Sequence, residues 1–180
     1  MIFDKEQFMK IAIIGIPGSG KSTLASKLHT ILGIPIFHLD QYFWHPGWQR
    51  PDRDEFIRIH NELCDQKEWI IEGMATRLFE YRLKQAEVII FLDVPLYVCL
   101  YRIFKRALLN FGKVVYSSAP GCPERMPDRE FLRYVWNFNK KQKTEIEQLL
   151  RDHNGKKKIF IVNNKSDLNE LIRRFESKSI

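Results

Sequence analysis

The sequence has few cysteines and no long hydrophobic run, and both shortages narrow what the protein can be. Cys64, Cys99 and Cys122 are far apart and lack the paired spacing of a zinc site or a disulfide framework. We therefore expect reduced thiols and a cytoplasmic protein. The most apolar stretch, residues 88–101, is interrupted by an aspartate and a proline and is too short to cross a bilayer. No signal peptide is recognisable, so we expect no membrane association.

Acidic residues are also in deficit, with 22 Asp and Glu against 29 Lys and Arg, for a net charge of +7. An excess of positive charge suits nucleic acid, a membrane surface or small anionic ligands. Lysines occur partly in short runs such as 156–158, and there is no basic arm or known nucleic-acid motif. The charge pattern therefore favours a polyphosphate ligand over nucleic acid. It does not exclude nucleic acid.

What the sequence does contain is a glycine-rich segment, GIPGSGKS at residues 15–22, that matches the phosphate-binding pattern G-x-x-x-x-G-K-[ST]. Its glycines let backbone N–H groups face phosphate, its lysine reaches the outer phosphates, and its serine hydroxyl can bind Mg²⁺. The apolar run 11–14 before it predicts a buried strand, and the helical spacing of apolar residues after it predicts a helix that ends at Gly33. The cofactors predicted are ATP and Mg²⁺, bound by Gly15, Pro17, Gly18, Ser19, Gly20, Lys21, Ser22 and Thr23.

Four further apolar runs alternate with helical patterns, which predicts an α/β fold with a five-stranded parallel sheet and helices on both faces. Residues 1–8 are expected to form an N-terminal extension, and residues 9–180 a single domain with a Gly- and Pro-rich lid at about 107–127. The predicted strands are 11–14, 35–39, 69–71, 88–92 and 158–162. The predicted helices after the first are 53–66, 95–110, 127–153 and 167–176.

Each predicted strand is followed by residues that can carry chemistry. The phosphate loop, Asp40, Glu72, Asp93 and residues 163–164 follow the five strands in turn. Because a parallel sheet binds ligands beyond the carboxyl ends of its strands, we expect these groups to share one site. Asp93 is expected to support the loop that follows it.

With these strand ends in place, the chain resembles the adenylate-kinase-like branch of P-loop kinases, and more closely the bacterial DNA topology modulation proteins. The resemblance implies a three-layer P-loop NTPase fold with strand order 2-3-1-4-5, ATP on the phosphate loop and a mobile lid. The name of those bacterial proteins describes a phenotype, so it implies no particular substrate. The matching segments, over about residues 10–165, are IAIIGIPGSGKSTLA, HLDQYFWHPGW, WIIEG, VIIFLDVP, YRIFKR and PGCPERMPDREFLRYVW.

Two arginine pairs flank the predicted lid. Arg102 and Arg106 precede it and resemble the pair at the first lid hinge of nucleotide kinases, whereas Arg129 and Arg133 follow it. A lid that closes over polyphosphate would bring such charges to the transferring group, where phosphoryl transfer needs them. The alternative is that these arginines form surface ion pairs. The predicted catalytic set is Lys21, Asp40, Arg102, Arg106, Arg129 and Arg133, with Arg125 as a substrate contact.

Two carboxylates are candidates to bind the acceptor and the metal in the predicted site. In kinases that phosphorylate hydroxyl groups, a carboxylate at the position of Asp40 orients the acceptor and can take its proton. If the acceptor is a nucleoside monophosphate, Arg77 or Arg53 would instead bind its phosphate. Glu72 stands where such kinases usually carry an aspartate that holds Mg²⁺ through water, and its longer side chain departs from that pattern. Ser22 and Glu72 are therefore the predicted metal contacts.

Aromatic side chains crowd the stretch after Asp40. Tyr42, Trp44 and Trp48 lie among His, Pro and Gly residues in an irregular segment. They are candidates to stack on a flat base or ring of the acceptor, and the alternative is that they serve packing alone.

Residues 164–167 match the guanine-recognition pattern N-K-x-D. No D-x-x-G follows either candidate strand, and Asp167 suits a helix N-cap equally well, so we disfavour a GTPase. In the kinase interpretation this loop still lies beside the base, which makes Asn164 a candidate nucleotide contact and leaves GTP open as a donor.

The sequence therefore predicts an ATP- and Mg²⁺-dependent phosphotransferase, most plausibly a nucleoside or nucleotide kinase, that acts as a monomer or homodimer on a small-molecule acceptor. The alternative is a nucleotide-binding regulator related to DNA topology, with only weak hydrolysis of nucleoside triphosphate. A regulator that binds DNA should show strong, salt-dependent affinity for duplex, whereas a kinase should not.

Overall fold

A five-stranded parallel sheet forms the centre of the computed structural model, which describes residues 9–177 apart from the side chains of residues 139 and 140. The strand order β2-β3-β1-β4-β5 confirms the predicted fold and order. The predicted extension, residues 1–8, lies outside the described residues. The strands are β1 (Lys10–Gly15), β2 (Ile36–His38), β3 (Trp69–Glu72), β4 (Val88–Leu92) and β5 (Lys158–Val162).

Helices cover both faces of the sheet, so the molecule has three layers. Within residues 9–177 they are α1 (Lys21–Leu32), α2 (Leu39–Phe43), α3 (Arg53–Cys64), α4 (Phe79–Gln85), α5 (Leu96–Leu109), α6 (Arg129–Phe138), α7 (Thr144–His153) and α8 (Lys165–Glu176). Alternate residues of β1 point to opposite faces: Ile11 and Ile13 pack with α1 and α8, whereas Ala12 and Ile14 pack with α3 to α7. This alternation is what buries a central strand on both sides.

Two predicted elements differ in the structure. Strand β2 ends at His38, and the chain turns at once into α2, so Asp40 lies in the first turn of a short helix rather than at a strand end. The single helix predicted over 127–153 is interrupted by a π-helical turn, Asn139–Lys143. A π turn widens the helix locally, and here Lys143 Nζ lies 2.7 Å from Asp93 Oδ2. Asp93 therefore ties the α6–α7 unit to the end of β4.

Helix α4 and the 3₁₀ turn Thr76–Leu78 before it were not predicted, because a seven-residue helix is too short to show a clear period. They connect β3 to β4 beneath the end of the sheet.

The lid connects α5 to α6. Helix α5 continues to Leu109, so the first residues of the predicted lid are helical, and the irregular lid spans residues 110–128. Two backbone hydrogen bonds close its neck: Gly112 N–H donates to Glu124 O, and Glu124 N–H donates to Lys113 O, both over 2.9 Å. The lid is thus a closed loop with a defined base.

No helix among residues 9–177 is both long and apolar enough to cross a membrane.

Candidate active site

The phosphate loop joins β1 to α1 and packs beneath α5. At Gly18 a side chain would place its Cβ 2.5 Å from the carbonyl oxygen of Cys99, so only glycine fits. Gly20, with φ 105°, precedes α1, whose first turn has neither a side-chain cap nor an acidic residue. The N–H groups that begin α1 therefore have no side-chain oxygen to satisfy them, which is the arrangement that binds phosphate at a helix N-terminus.

Two side chains at the loop, Ser19 and Lys21, can bind an anion. The Ser19 hydroxyl is buried and has no hydrogen-bond partner. Lys21 Nζ donates to the carbonyl of Ile16 over 3.0 Å. Desolvation lowers the pKa of Lys21, and the carboxylates of Glu72 and Asp40 oppose that shift. A buried hydroxyl without a partner costs free energy, so both groups fit a phosphate that would satisfy them.

Glu72 is the centre of a buried hydrogen-bond network at the end of β3. Its Oε1 accepts from the Ser22 hydroxyl over 2.9 Å and from His38 Nδ1 over 2.7 Å. Burial opposes ionisation of Glu72, but the hydrogen bond from His38 and the charge of Lys21 prevail, and the pKa is lowered. The predicted metal contacts, Ser22 and Glu72, are therefore brought together.

This pair fits a magnesium ion that also takes phosphate oxygens. Mg²⁺ in nucleotide sites is bound by one or two protein oxygens together with phosphate oxygens and water. The described residues hold no cluster of three or more His, Cys, Asp or Glu that would bind a metal unaided. The Ser22 hydroxyl and the ionised Glu72 carboxylate supply the hard oxygen donors that such shared coordination needs.

Asp40 faces the same cleft from α2. Its pKa is raised to about 6, first by desolvation and then by the charge of Glu72, while Lys21 and Arg106 oppose the shift. Because the residue is exposed to the open cleft, water weakens the effect of desolvation until a ligand fills the space, whereas the charge of Glu72 raises the pKa with or without a ligand. Burial, and then the charge of Asp40, raise the pKa of Tyr134 of α6 to about 12. Groups from five elements therefore converge on one cleft.

The two arginines of α5 lie against the phosphate loop and the lid. Arg102 Nη1 donates to the carbonyl of Ser19 over 2.9 Å. Arg106 Nε lies 3.0 Å from Oε1 of Glu124, a lid carboxylate that is only 5% exposed. Arg102 thus supports the loop, and Arg106 is held at the neck of the lid.

Within the described residues, no ion pair joins the remaining predicted arginines to Glu72 or Asp40, and Arg133 lines a surface cavity beside Tyr134. Arg129 and Arg133 are exposed at the start of α6 and form no ion pair within the described part of the chain. Arg77 and Arg53 are exposed as well. Arg125 pairs with Asp128 over 3.5 Å. Their proposed roles would require movement of the lid or of the acceptor side.

The lid is docked on the segment that follows β2. Gly47 N–H donates to Gly121 O over 2.9 Å, and the Cys122 thiol donates to His45 O over 3.1 Å. Trp48 Nε1 donates to Pro123 O over 3.0 Å. Nearer the phosphate loop, Gln41 Nε2 donates to Tyr116 O over 2.6 Å, and the Tyr116 ring stands edge-on to the His38 ring at 5.4 Å. The lid therefore closes against residues 41–48.

In this structure the three aromatic residues that are candidates to stack on a substrate ring contact other side chains or the lid. The Tyr42 ring stands edge-on to Phe37 at 6.3 Å, and Trp44 stands edge-on to Trp48 at 5.6 Å. The Arg125 guanidinium covers the Trp48 ring at 5.2 Å. A covered ring face offers no surface to a base, so in this conformation Trp48 is a lid contact.

Asn164, the first residue of the N-K-x-D segment, caps the N-terminus of α8. Its Oδ1 accepts from the backbone N–H groups of Ser166 and Asp167 over 2.8 and 3.1 Å. Asp167 in turn accepts from Asn163 N–H over 2.9 Å, which lowers its pKa. These carbonyl and carboxylate oxygens are therefore engaged in capping.

Sequence reasoning missed four residues of this region. His38 and Glu124 were not singled out because their partners come from distant parts of the chain. Tyr134 follows Arg133, and a tyrosine in an amphipathic helix carries no signal of its own. Arg82 of α4 is fully buried, with Nη2 donating to Gly73 O over 3.0 Å while Nε and Nη1 have no partner.

Comparison with known proteins places this site in context. A family profile described as an AAA domain matches residues 11–108, more than half of the chain. No curated protein matches the sequence, and the comparisons do not confirm the narrower resemblance to DNA topology modulation proteins.

Three solved structures of similar fold are P-loop kinases. A shikimate kinase from Acinetobacter baumannii has a TM-score of 0.58 at 17% identity, covering 94% of this chain and 91% of that one. A deoxyadenosine kinase from M. mycoides has a TM-score of 0.51 at 18% identity, covering 94% and 99%. A gluconokinase from Sinorhizobium meliloti 1021 has a TM-score of 0.50 at 18% identity, covering 97% and 93%. At these identities the likeness shows the fold, and the profile match shows that the chain belongs to the AAA domain family.

Proposed function

We propose that this protein is an ATP- and Mg²⁺-dependent kinase that transfers the γ-phosphoryl group to a hydroxyl of a small molecule. The observation that carries the proposal is the position of Asp40 in the first turn of α2, two residues after His38, whose ring hydrogen-bonds to Glu72. The charge of Asp40 acts on Lys21, and its raised pKa, about 6, agrees with this position. A general base works best when its pKa lies near the working pH. Asp40 meets that condition beside the phosphate loop.

The donor side follows from the phosphate loop. Lys21 and the N–H groups that begin α1 would hold the outer phosphates, and Arg102 supports the loop through Ser19 O. Ser22 and Glu72 would hold Mg²⁺, which neutralises charge on the phosphoryl oxygens during transfer. His38 keeps Glu72 ionised and oriented through its bond to Oε1. Arg106 brings a positive charge that acts on both Lys21 and Asp40.

The acceptor side favours a hydroxyl over a phosphate. The lysine and arginine whose charges act on Asp40 are Lys21 and Arg106, and both would serve the transferring phosphoryl group, which leaves neither for an acceptor phosphate. Between α2 and the lid lies an open cavity of about 510 Å³ that begins at the residue next to Asp40. No charged residue is among its lining, Gln41, Tyr42, Val114, Val115, Tyr116, Ser118 and Pro120.

An uncharged, partly aromatic lining suits a neutral ring with a free hydroxyl, as in a nucleoside. Nucleosides are therefore the first acceptor class to test, with nucleoside monophosphates second.

The test is a transfer assay with Mg-ATP and a panel of nucleosides, nucleoside monophosphates and small sugars. Phosphorylated products are read by mass. Lys21→Ala should abolish transfer, while Lys27→Ala, an exposed lysine of the same helix, should not. Stimulation of ATP turnover by one hydroxyl acceptor supports the proposal. If no acceptor is phosphorylated and ATP is hydrolysed only slowly, the proposal fails and a regulatory role replaces it.

A further inference from the structure

Helix α5 exposes a straight stripe of large apolar side chains. Tyr97 is 75% exposed, Tyr101 64%, Phe104 37% and Leu108 69%. Their 4-3-4 spacing places them on one face of the helix. The opposite face packs into the core through Cys99, Ile103 and Ala107. An exposed apolar patch of this kind marks an interaction surface.

We infer that this stripe, Tyr97–Tyr101–Phe104–Leu108, is the interface with a second copy of the chain, paired antiparallel about a two-fold axis. The spacing is palindromic, so an antiparallel copy places Tyr97 opposite the partner's Leu108 and Tyr101 opposite the partner's Phe104. A two-fold interface has to be self-complementary in this way.

The exposed apolar area supplies more than half of what a dimer needs. An aromatic side chain presents about 200 Å². With Phe111, which is 65% exposed just beyond α5, the four aromatic residues alone expose roughly 500 Å² per copy. A standard interface buries about 800 Å² on each partner. The lid, where Val114 and Tyr116 are also exposed, has to supply the remainder.

The charge around the stripe provides a salt-dependence test that distinguishes a second copy from other occupants. Residues 94–123 contain no acidic residue and four basic ones. Lys105 lies over the ring of Tyr101 in its own helix, with Nζ 5.8 Å from the centroid, so it covers apolar surface locally. Two copies would bring like charges together, so added salt should preserve or strengthen their association. An acidic partner or an anionic membrane would bind less tightly as salt rises.

Such pairing would fix the position of α5, the helix whose arginines contact the phosphate loop and the lid. The same helix carries Arg102, which donates to Ser19 O of the phosphate loop, and Arg106, which contacts the lid. Phe111 lies where the lid begins. The inference nevertheless stands apart from the proposed reaction, because oligomeric state is measured without substrate.

The test is sedimentation equilibrium of the full chain across a dilution series at low and high salt. We expect twice the monomer mass of 21.5 kDa, with the dimer unchanged or tighter at high salt. Leu108→Glu should give the monomer. Leu109→Glu is the matched control, because Leu109 is 65% exposed on the same helix but lies off the stripe. It should remain dimeric, and circular dichroism should show both variants folded.

A mixing experiment tests the antiparallel geometry. Tyr97→Lys alone should be monomeric, and mixed with Leu108→Glu it should form a heterodimer, because the new lysine and glutamate face each other across an antiparallel pair. A monomeric wild type, dissociation that occurs equally in Leu109→Glu, or a dimer that persists in Leu108→Glu would each overturn the inference. Failure of the two variants to associate on mixing would overturn the antiparallel arrangement.

Discussion

The Nε atom of Arg106 lies 3.0 Å from Oε1 of Glu124, so a buried lid carboxylate lies against an arginine of the candidate site. The pair is close, but the N–H group is not aligned with Oε1, which has no hydrogen-bond partner. Glu124 also closes the neck of the lid through its backbone bonds to Gly112 and Lys113. The position of the neck therefore sets where the Arg106 charge is directed.

The first prediction concerns this pair. Glu124→Gln removes the charge that holds Arg106, so the guanidinium should lose its orientation toward the cleft. We expect kcat to fall roughly 10- to 100-fold, the cost of misplacing a positioned group, with little change in the acceptor KM. Steady-state kinetics check this, and Glu130→Gln, in an exposed pair with Arg50, is the control. A loss confined to KM would place Glu124 on the acceptor instead.

The second prediction concerns the hydrogen bond from His38 to Glu72. His38→Ala removes a donor that lowers the pKa of Glu72, so the carboxylate should be a poorer metal contact. We expect the Mg²⁺ concentration for half-maximal activity to rise about 10-fold or more, as for other groups that orient a metal ligand. His29→Ala on α1 is the control. An unchanged Mg²⁺ requirement would argue that Glu72 does not contact the metal.

The third prediction concerns lid docking through Trp48. Trp48→Phe keeps an aromatic ring under Arg125 but removes the bond from Nε1 to Pro123 O. Loss of one such bond should cost about 1 kcal/mol of docking free energy, so limited proteolysis within residues 110–128 should accelerate about fivefold. Trp136→Phe, an exposed tryptophan on α6, is the control. Equal cleavage rates in both variants would show that Trp48 does not hold the lid.

The fourth prediction concerns the stability cost of Asp40. Because the pKa of Asp40 is raised to about 6 from 3.8, the unfolded chain releases this proton at lower pH than the folded chain. The charge of Asp40 therefore lowers stability progressively as pH rises from 3.8 through 6. Asp40→Asn should raise Tm above that range and have no effect below it. Thermal melts against pH check this, and a lower Tm for the variant at about pH 8 would contradict it.

The fold and the donor side of the site were predictable because their signals are local. The phosphate loop is one uninterrupted segment, and the apolar runs 11–14 in β1 and 88–92 in β4 are typical of a buried parallel strand. The strand order followed from the resemblance, and the structure confirms it.

The acceptor side was less predictable because its contacts join distant segments. The Trp48 indole meets Pro123, and no periodicity of either segment indicates that contact. Tyr134 and Asp40 lie on helices that are distant in the sequence, α6 and α2, so no local pattern links them. Asp40 lies in a helix and not at the end of a strand because β2 ends at His38. A sequence pattern predicts that an element exists more reliably than it predicts where the element ends.

The measurement that tests the central claim most directly is the pH dependence of single-turnover phosphoryl transfer to a hydroxyl acceptor. The wild type should lose activity on the acidic side with an apparent pKa of about 6. Asp40→Asn should be slower by about 100-fold or more and should lack that acidic limb. Transfer by Asp40→Asn at the wild-type rate, with the same pH profile, would show that Asp40 is not the base.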